Sequence, residues 1–297
     1  MSQQEPPAKQ PRQANDSFFV RFAREYGWRA YAIPVLLVIT IWVFVDILRP
    51  SPDAETTAEA TNSSSGTLQD SPNPVNQEPQ AIAESELPAG GAFTTTGAGT
   101  YRKVGSAGAS VGLDNESVFR YIVEIEDGID TTTYGGDDAF AAMVDATLSN
   151  QKSWSGGGRF GFEHVADASD ADLRIQLTST NTTHSLCGNS LGLETSCFYS
   201  DGGRVIINDA RWVRGAVPFA GDLGSYRQYL INHEVGHGIG FAEHEPCAST
   251  GELAPIMMQQ TISLSNDVLA ATGAEEAYDA DGAVCVANPW PYPYGGA

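Results

Sequence analysis

Three of the chain's five histidines fall within twelve residues, in the run His233-Glu234-Val235-Gly236-His237-Gly238-Ile239-Gly240-Phe241-Ala242-Glu243-His244. On a helix, His233 and His237 lie one turn apart on a single face, where two neutral imidazoles can grip one zinc ion. Glu234 stands beside them, placed to accept a proton from a water activated by the metal. Gly240 can end the helix in the left-handed conformation, so that the chain turns back and brings a third ligand to the ion. His244 is the expected third ligand, with Glu243 as the alternative through a carboxylate oxygen. Three protein ligands and one open position describe a catalytic zinc site rather than a closed structural one.

The elements that must position these residues follow from periodicity. Tyr226, Tyr229, Leu230, His233, Glu234 and His237 recur on one inward face, and Ile231 and Val235 make a second apolar side, which predicts a buried helix from a cap at Asp222 to about Ile239. Buried histidines beside a buried glutamate are costly unless a metal or hydrogen-bond partners satisfy them, and satisfied core histidines are the competing reading. Upstream, strands are expected at 118–125, 160–165, 172–178 and 204–208, with a further strand near 198–200 leading into a turn at 201–203. Residues 101–111 read as strand or irregular chain. Asp137 or Asp138 can cap a helix through about Ser149, with Phe140, Met143, Val144 and Leu148 on its apolar face. Strand, helix, several strands and then the metal helix indicate an α+β or α/β layered domain. His164 is expected to pack or hydrogen-bond at a strand end, and His184, in a Thr/Asn-rich loop, to be exposed.

Residues 31–48 form an apolar stretch that reaches about 27 Å as a helix, close to the hydrocarbon thickness of a bilayer. Lys9, Arg12, Arg21, Arg24 and Arg29 precede it, and only Arg49 is basic between it and Arg102. The positive-inside rule then puts a tail of residues 1–30 in the cytoplasm and the rest of the chain outside. The stretch is long for a signal peptide and lacks a small-x-small site directly after it, so an uncleaved single-pass membrane anchor is the expectation. Residues 49–91, rich in Ser, Thr, Pro, Ala, Asn and Glu, read as a disordered acidic stalk, and residues 92–297 as the folded domain.

Residues 1–50 hold six of the 16 Lys/Arg and four of the 37 Asp/Glu, which leaves 10 basic and 33 acidic residues beyond them. So acidic a surface excludes nucleic acid as a partner. All four cysteines, Cys187, Cys197, Cys247 and Cys285, lie outside the predicted span, an even number that implies two disulfides in an exported domain. Of the three pairings, Cys187–Cys197 with Cys247–Cys285 is the expected one.

The run from His233 to His244 resembles the extended zinc motif of the metzincin peptidases, H-E-x-x-H-x-x-G-x-x-H/D. Residues 254–261 (APIMMQQT) look like the Met-turn of that family, in which a methionine forms an apolar floor beneath the zinc; Met257 is the preferred floor residue, with Met258 the other choice. Trp154, residues 162–165 and 171–175, and residues 204–212 resemble the strand region of matrixin-like members. The whole of 92–297 also resembles a family of membrane-anchored bacterial proteins catalogued as a domain of unknown function with a zincin-like fold, whose hallmarks include the HEVGH helix, the APxMxQQT stretch and Asn288–Pro291. The chain departs from the metzincin pattern at one place: the standard spacing puts the third ligand at Glu243, and His244 comes one residue later.

The resemblance implies a zincin-like domain with a twisted mixed sheet and an active-site helix, and a Zn2+-dependent peptidase acting on a peptide or protein substrate, with Glu234 as general base. It also implies that the substrate lies along a strand edge near 196–200. Two other readings stand beside it. One is a non-catalytic cell-surface module braced by a structural metal, and Glu234 argues against it, because a bracing site needs no base. The other keeps the zinc chemistry but acts on a cell-wall amide.

Overall fold

The computed structural model describes residues 84–189, 192–273 and 278–296. The chain divides into two units, Met1–Pro72 and Asn73–Ala297, and every described residue belongs to the second. The expected tail at 1–30, the membrane span at 31–48 and most of the stalk lie outside the described residues. No helix among the described residues is long and apolar enough to cross a membrane.

The domain is a mixed α/β fold built on a seven-stranded sheet. Its strands are β1 (Tyr101–Lys103), β2 (Ser110–Val111), β3 (Ser117–Glu126), β4 (Phe160–His164), β5 (Leu173–Thr178), β6 (Cys197–Tyr199) and β7 (Arg204–Asn208). They run in the order β2-β4-β3-β5-β7-β6, and β1 pairs with the far end of β3. The four central strands are parallel, and β1, β2 and β6 are antiparallel to their neighbours. Parallel neighbours need a crossover, and helix α1 (Asp137–Leu148) supplies the one between β3 and β4. Four further α-helices are described: α2 (Thr180–Cys187), α3 (Asp209–Arg214), α4 (Leu223–Gly238) and α5 (Asn266–Ala271).

Alternation decides which face of the sheet carries the helices. Tyr121, Val123 and Ile125 of β3 share one core with Phe140, Val144 and Leu148 of α1 and Tyr226, Tyr229 and Leu230 of α4. The intervening Glu124 and Glu126 are also buried, on the opposite face. Glu124 accepts two hydrogen bonds from Arg174 (3.0 and 2.6 Å) and one from Gln176 (2.7 Å). Glu126 accepts from the backbone of Gly99 and Ser179 and from the Thr182 hydroxyl. Buried carboxylates are tolerable because these donors replace water.

Two expectations need correction. Residues 84–91, read as stalk, belong to the folded unit. The fully buried guanidinium of Arg211 on α3 donates to the carbonyls of Ser85 (2.7 Å) and Glu86 (3.3 Å). Arg214 holds the Gly91 carbonyl at 2.9 Å. Composition could not show this, because the acceptors are backbone atoms of polar chain. Residues 180–187, read as loop, form α2, and half-buried His184 pairs there with Glu194 at 3.0 Å. The Thr178 and Thr183 hydroxyls meet at 2.6 Å, and Asn181 reaches the Thr96 hydroxyl, so tertiary bonds offset poor helix propensity.

Both expected disulfides form, Cys187–Cys197 and Cys247–Cys285, and no cysteine is free. Such bonds persist in oxidising compartments.

Candidate metal centre

Helix α4 carries the centre, and both of its ends are defined by side-chain and backbone chemistry. Asp222 caps its start by accepting from Ser225 N at 3.0 Å. At its end, Phe241 N bonds Gly236 O at 3.0 Å and Gly240 N bonds His237 O at 3.2 Å, with Gly240 at φ +111°. That double reversal is a Schellman motif. It turns the chain back over the last helical turn and hands the Phe241 carbonyl to His237, whose Nδ1 donates to it at 2.7 Å.

His233 is held in the same way by another segment. Its Nδ1 donates to the carbonyl of Ile256 at 2.9 Å. Commitment of Nδ1 to a carbonyl fixes the tautomer and leaves Nε2 as the metal-binding atom in both residues. His244, three residues beyond Phe241, brings its Nε2 within 3.2 Å of His237 Nε2. The three ring centroids lie 4.9 to 5.1 Å apart. One potential ligand atom from each ring falls within 4.8 Å of the others, and the group could hold a metal ion. Glu243 is exposed and is not part of this group.

The donor set fits a divalent cation. His233 Nε2 and Glu234 Oε2 are buried and lack a hydrogen-bond partner. Leaving such atoms unsatisfied costs about 1–3 kcal/mol each, and an ion beside them removes the deficit. Two nitrogens on one tetrahedral zinc at about 2.0–2.1 Å stand roughly 3.3–3.4 Å apart, close to the His237–His244 separation. Burial first, then the neighbouring His244 and His237 rings, pushes His233 well below its ordinary pKa and keeps it neutral. Burial pushes the Glu234 carboxyl up to about 8, and a cation among the three rings would oppose that shift.

The segment after the third histidine packs against α4 at Gly236. A methyl group at Gly236 would lie 2.6 Å from Met257 Sδ and 2.8 Å from Trp154 Cζ2, so only glycine admits both side chains against α4. Met257 packs in the core shared with α4, whereas Met258 belongs to a second core with Cys247, Ile262 and Cys285. The two methionines left open by the sequence therefore separate, with Met257 beneath the helix.

Sequence reading assigned no role to several supporting residues. Gln260 donates to the carbonyls of Pro255 (3.1 Å) and Asn288 (2.9 Å), and Asn288 donates to Ala254 O at 2.8 Å. This reciprocal amide pair clamps the turn whose Ile256 carbonyl orients His233. Asn232 accepts from Ser153 and donates to Pro289 O, and its own carbonyl accepts from Trp154 Nε1. The available signal was a set of amide side chains in otherwise apolar or proline-rich stretches, since buried amides must find partners. His164 bonds Asp145 at 3.0 Å and stacks on Tyr121, and neither it nor His184 joins the three rings.

No curated protein and no solved structure matches the chain. Residues 87–293 match the family described as "Protein of unknown function (DUF3152)", and that match takes in β1 to β7, α4, all three imidazoles, both disulfides and the clamped turn: the chain belongs to this family.

Proposed function

We propose that the chain is a membrane-anchored, extracytoplasmic zinc metallopeptidase of metzincin-like type. The observation that carries this reading is the pair of buried, unsatisfied atoms, His233 Nε2 and Glu234 Oε2, beside two further imidazoles. Zinc bound by His233, His237 and His244 would supply Lewis acidity, polarising a carbonyl and lowering the pKa of water. The carbonyls of Ile256 and Phe241 keep the first two rings aimed at the ion. Glu234 would accept a proton from the attacking water and pass it to the leaving amine, a role that fits a carboxylate buried next to His233 with no hydrogen-bond partner at Oε2. Strand β6 ends the strand order, with Phe198 against Gly238 of α4, and an extended peptide would add to that edge as a further strand. A purely structural metal would not require an unsatisfied carboxylate next to its ligands. Anchorage rests on residues 31–48, and the two disulfides agree with a domain outside the cytoplasm.

The test is metal content per chain together with cleavage of a broad peptide library. We expect one zinc per chain and cleavage that falls about 10²–10⁴-fold in Glu234→Gln with zinc retained. Undiminished cleavage by Glu234→Gln, or stoichiometric zinc with no cleavage by the wild type, would overturn the reading.

A further inference from the structure

The last turn of α4 is gripped from two sides. Gly236 and Gly238 are two positions apart, roughly 200° around the helix. A methyl at Gly236 would strike Met257 and Trp154, whereas one at Gly238 would meet Leu173 Cδ2 at 3.1 Å and Phe198 Cε2 at 3.3 Å. Strand β6 is therefore on one side of the helix and Trp154 on the other.

A cleft of about 1130 Å³ opens on the Trp154 side, with Phe241, Leu253, Val286, Tyr292 and Tyr294 among its lining residues. None of the three imidazoles lines it, but Phe241 and Ile256, whose carbonyls hold two of them, and Met257 do, so the cleft adjoins the metal centre from behind these residues. Six large apolar side chains are well exposed among the described residues; Leu253, Val286 and Tyr294 line this cleft, and Val284 lies two residues before Val286. Exposed apolar residues normally scatter singly, and a cluster marks an interaction surface. The charged residues of the lining are Glu245 and Glu252, both exposed, with no basic residue among them. Its wall is fixed in advance: Tyr292 N bonds Lys152 O at 2.9 Å, Asn232 holds Pro289 O at 2.8 Å, and Pro291 and Pro293 restrict the backbone between. A preset wall lowers the ordering cost of binding.

We propose that this cleft docks an extended segment of a partner protein in which lysine or arginine stands beside apolar or aromatic side chains. Its acidic, uncompensated lining selects the charge, its exposed apolar side chains supply the contact area, and its volume exceeds the usual range of a small-molecule pocket. It is separate from the β6 edge, and its occupancy does not depend on catalysis.

The experiment uses the full chain with both disulfides intact and a fluorescein-labelled synthetic peptide alternating lysine with leucine and tryptophan, read by anisotropy at about 0.15 M salt. The same peptide with glutamate in place of lysine is the charge control. We expect saturable binding of the lysine peptide only, weakened at least about tenfold by Val286→Asp, by Glu252→Lys and by Tyr294→Ala. Asp130→Asn and Asp167→Asn, at exposed carboxylates outside the cleft, should leave it unchanged. Tyr294 is 90% exposed, so its truncation does not threaten folding. Equal loss in the Asp130 and Asp167 variants would mean diffuse attraction to an acidic surface and would overturn the proposal. So would an absence of binding, or self-association abolished by Val286→Asp without peptide binding, which assigns the face to a second copy. Since the readout is binding, a chain without peptidase activity can still satisfy it.

Discussion

His233 and His237 are preset ligands because backbone carbonyls hold their Nδ1 atoms, and His244 completes the group of three. His244→Ala is expected to raise the zinc Kd by more than about a hundredfold, beyond the range typical of outer-shell changes, while Glu243→Ala leaves it unchanged. Competition against a chromophoric chelator measures both, and the reverse ranking would transfer the third ligand to Glu243. A second residue-level expectation concerns acid. Asp137, at the start of α1, accepts from Arg102 Nε at 2.7 Å, and that bond, helped by Thr131, holds its carboxyl below the usual range. A depressed folded-state pKa adds stability above the unfolded value of about 3.9 and loses it as pH falls through the folded value. Asp137→Asn should therefore be less stable than wild type at neutral pH, by under about 1 kcal/mol for a pair this exposed. That deficit should shrink as pH falls below the usual carboxylate range in urea midpoints taken across a pH series.

Glycines decide the geometry of the metal helix. Gly240→Ala meets no steric neighbour, so its cost is the positive φ alone, about 1–2 kcal/mol and a Tm lower by roughly 2–8 °C. Gly236→Ala acts differently: the added methyl must displace Met257 or Trp154, which shifts the turn carrying the Ile256 carbonyl and weakens zinc binding along with stability. Zinc affinity unaltered in Gly236→Ala would separate that turn from the orientation of His233. The two ends of α4 were legible in the sequence because Asp222 and Gly240 are position-specific signals, and β3, β5 and β7 because their β-branched runs sit between turn residues, while β4 and β6 showed through their aromatic residues. Helix α2 was not legible, since Thr and Asn favour turns locally and only distant partners such as Thr96 and Glu126 make it helical. The choice between Met257 and Met258 was equally hidden, because adjacent residues of one type differ only in which core they enter.

Across the whole molecule the two disulfides close loops of unequal length, with sequence separations of 10 for Cys187–Cys197 and 38 for Cys247–Cys285. Chain entropy gives about 3 and about 4 kcal/mol for these loops, so replacing Cys247 and Cys285 by alanine should lower stability more than replacing Cys187 and Cys197. The longer bridge also lies in the second core with Met258, and its Cys247 comes three residues after His244, so its loss is expected to reduce zinc affinity as well. Denaturant midpoints and zinc titration of the two double variants check the ranking.

Arg211 also determines where a mechanical load would enter the domain. A pull on the chain ahead of Glu84 runs into the carbonyls of Ser85 and Glu86, both held by this guanidinium. Behind them, Arg214 grips Gly91 and Asp209 accepts from Thr94 N at 2.7 Å. All three anchors sit on the six residues of α3, directly after β7. Tension is thereby shared between a short helix backed by the sheet and the hydroxyl of Ser263, three residues beyond Gln260, which donates to the Glu84 carboxylate, so part of any load arrives directly behind the clamped turn.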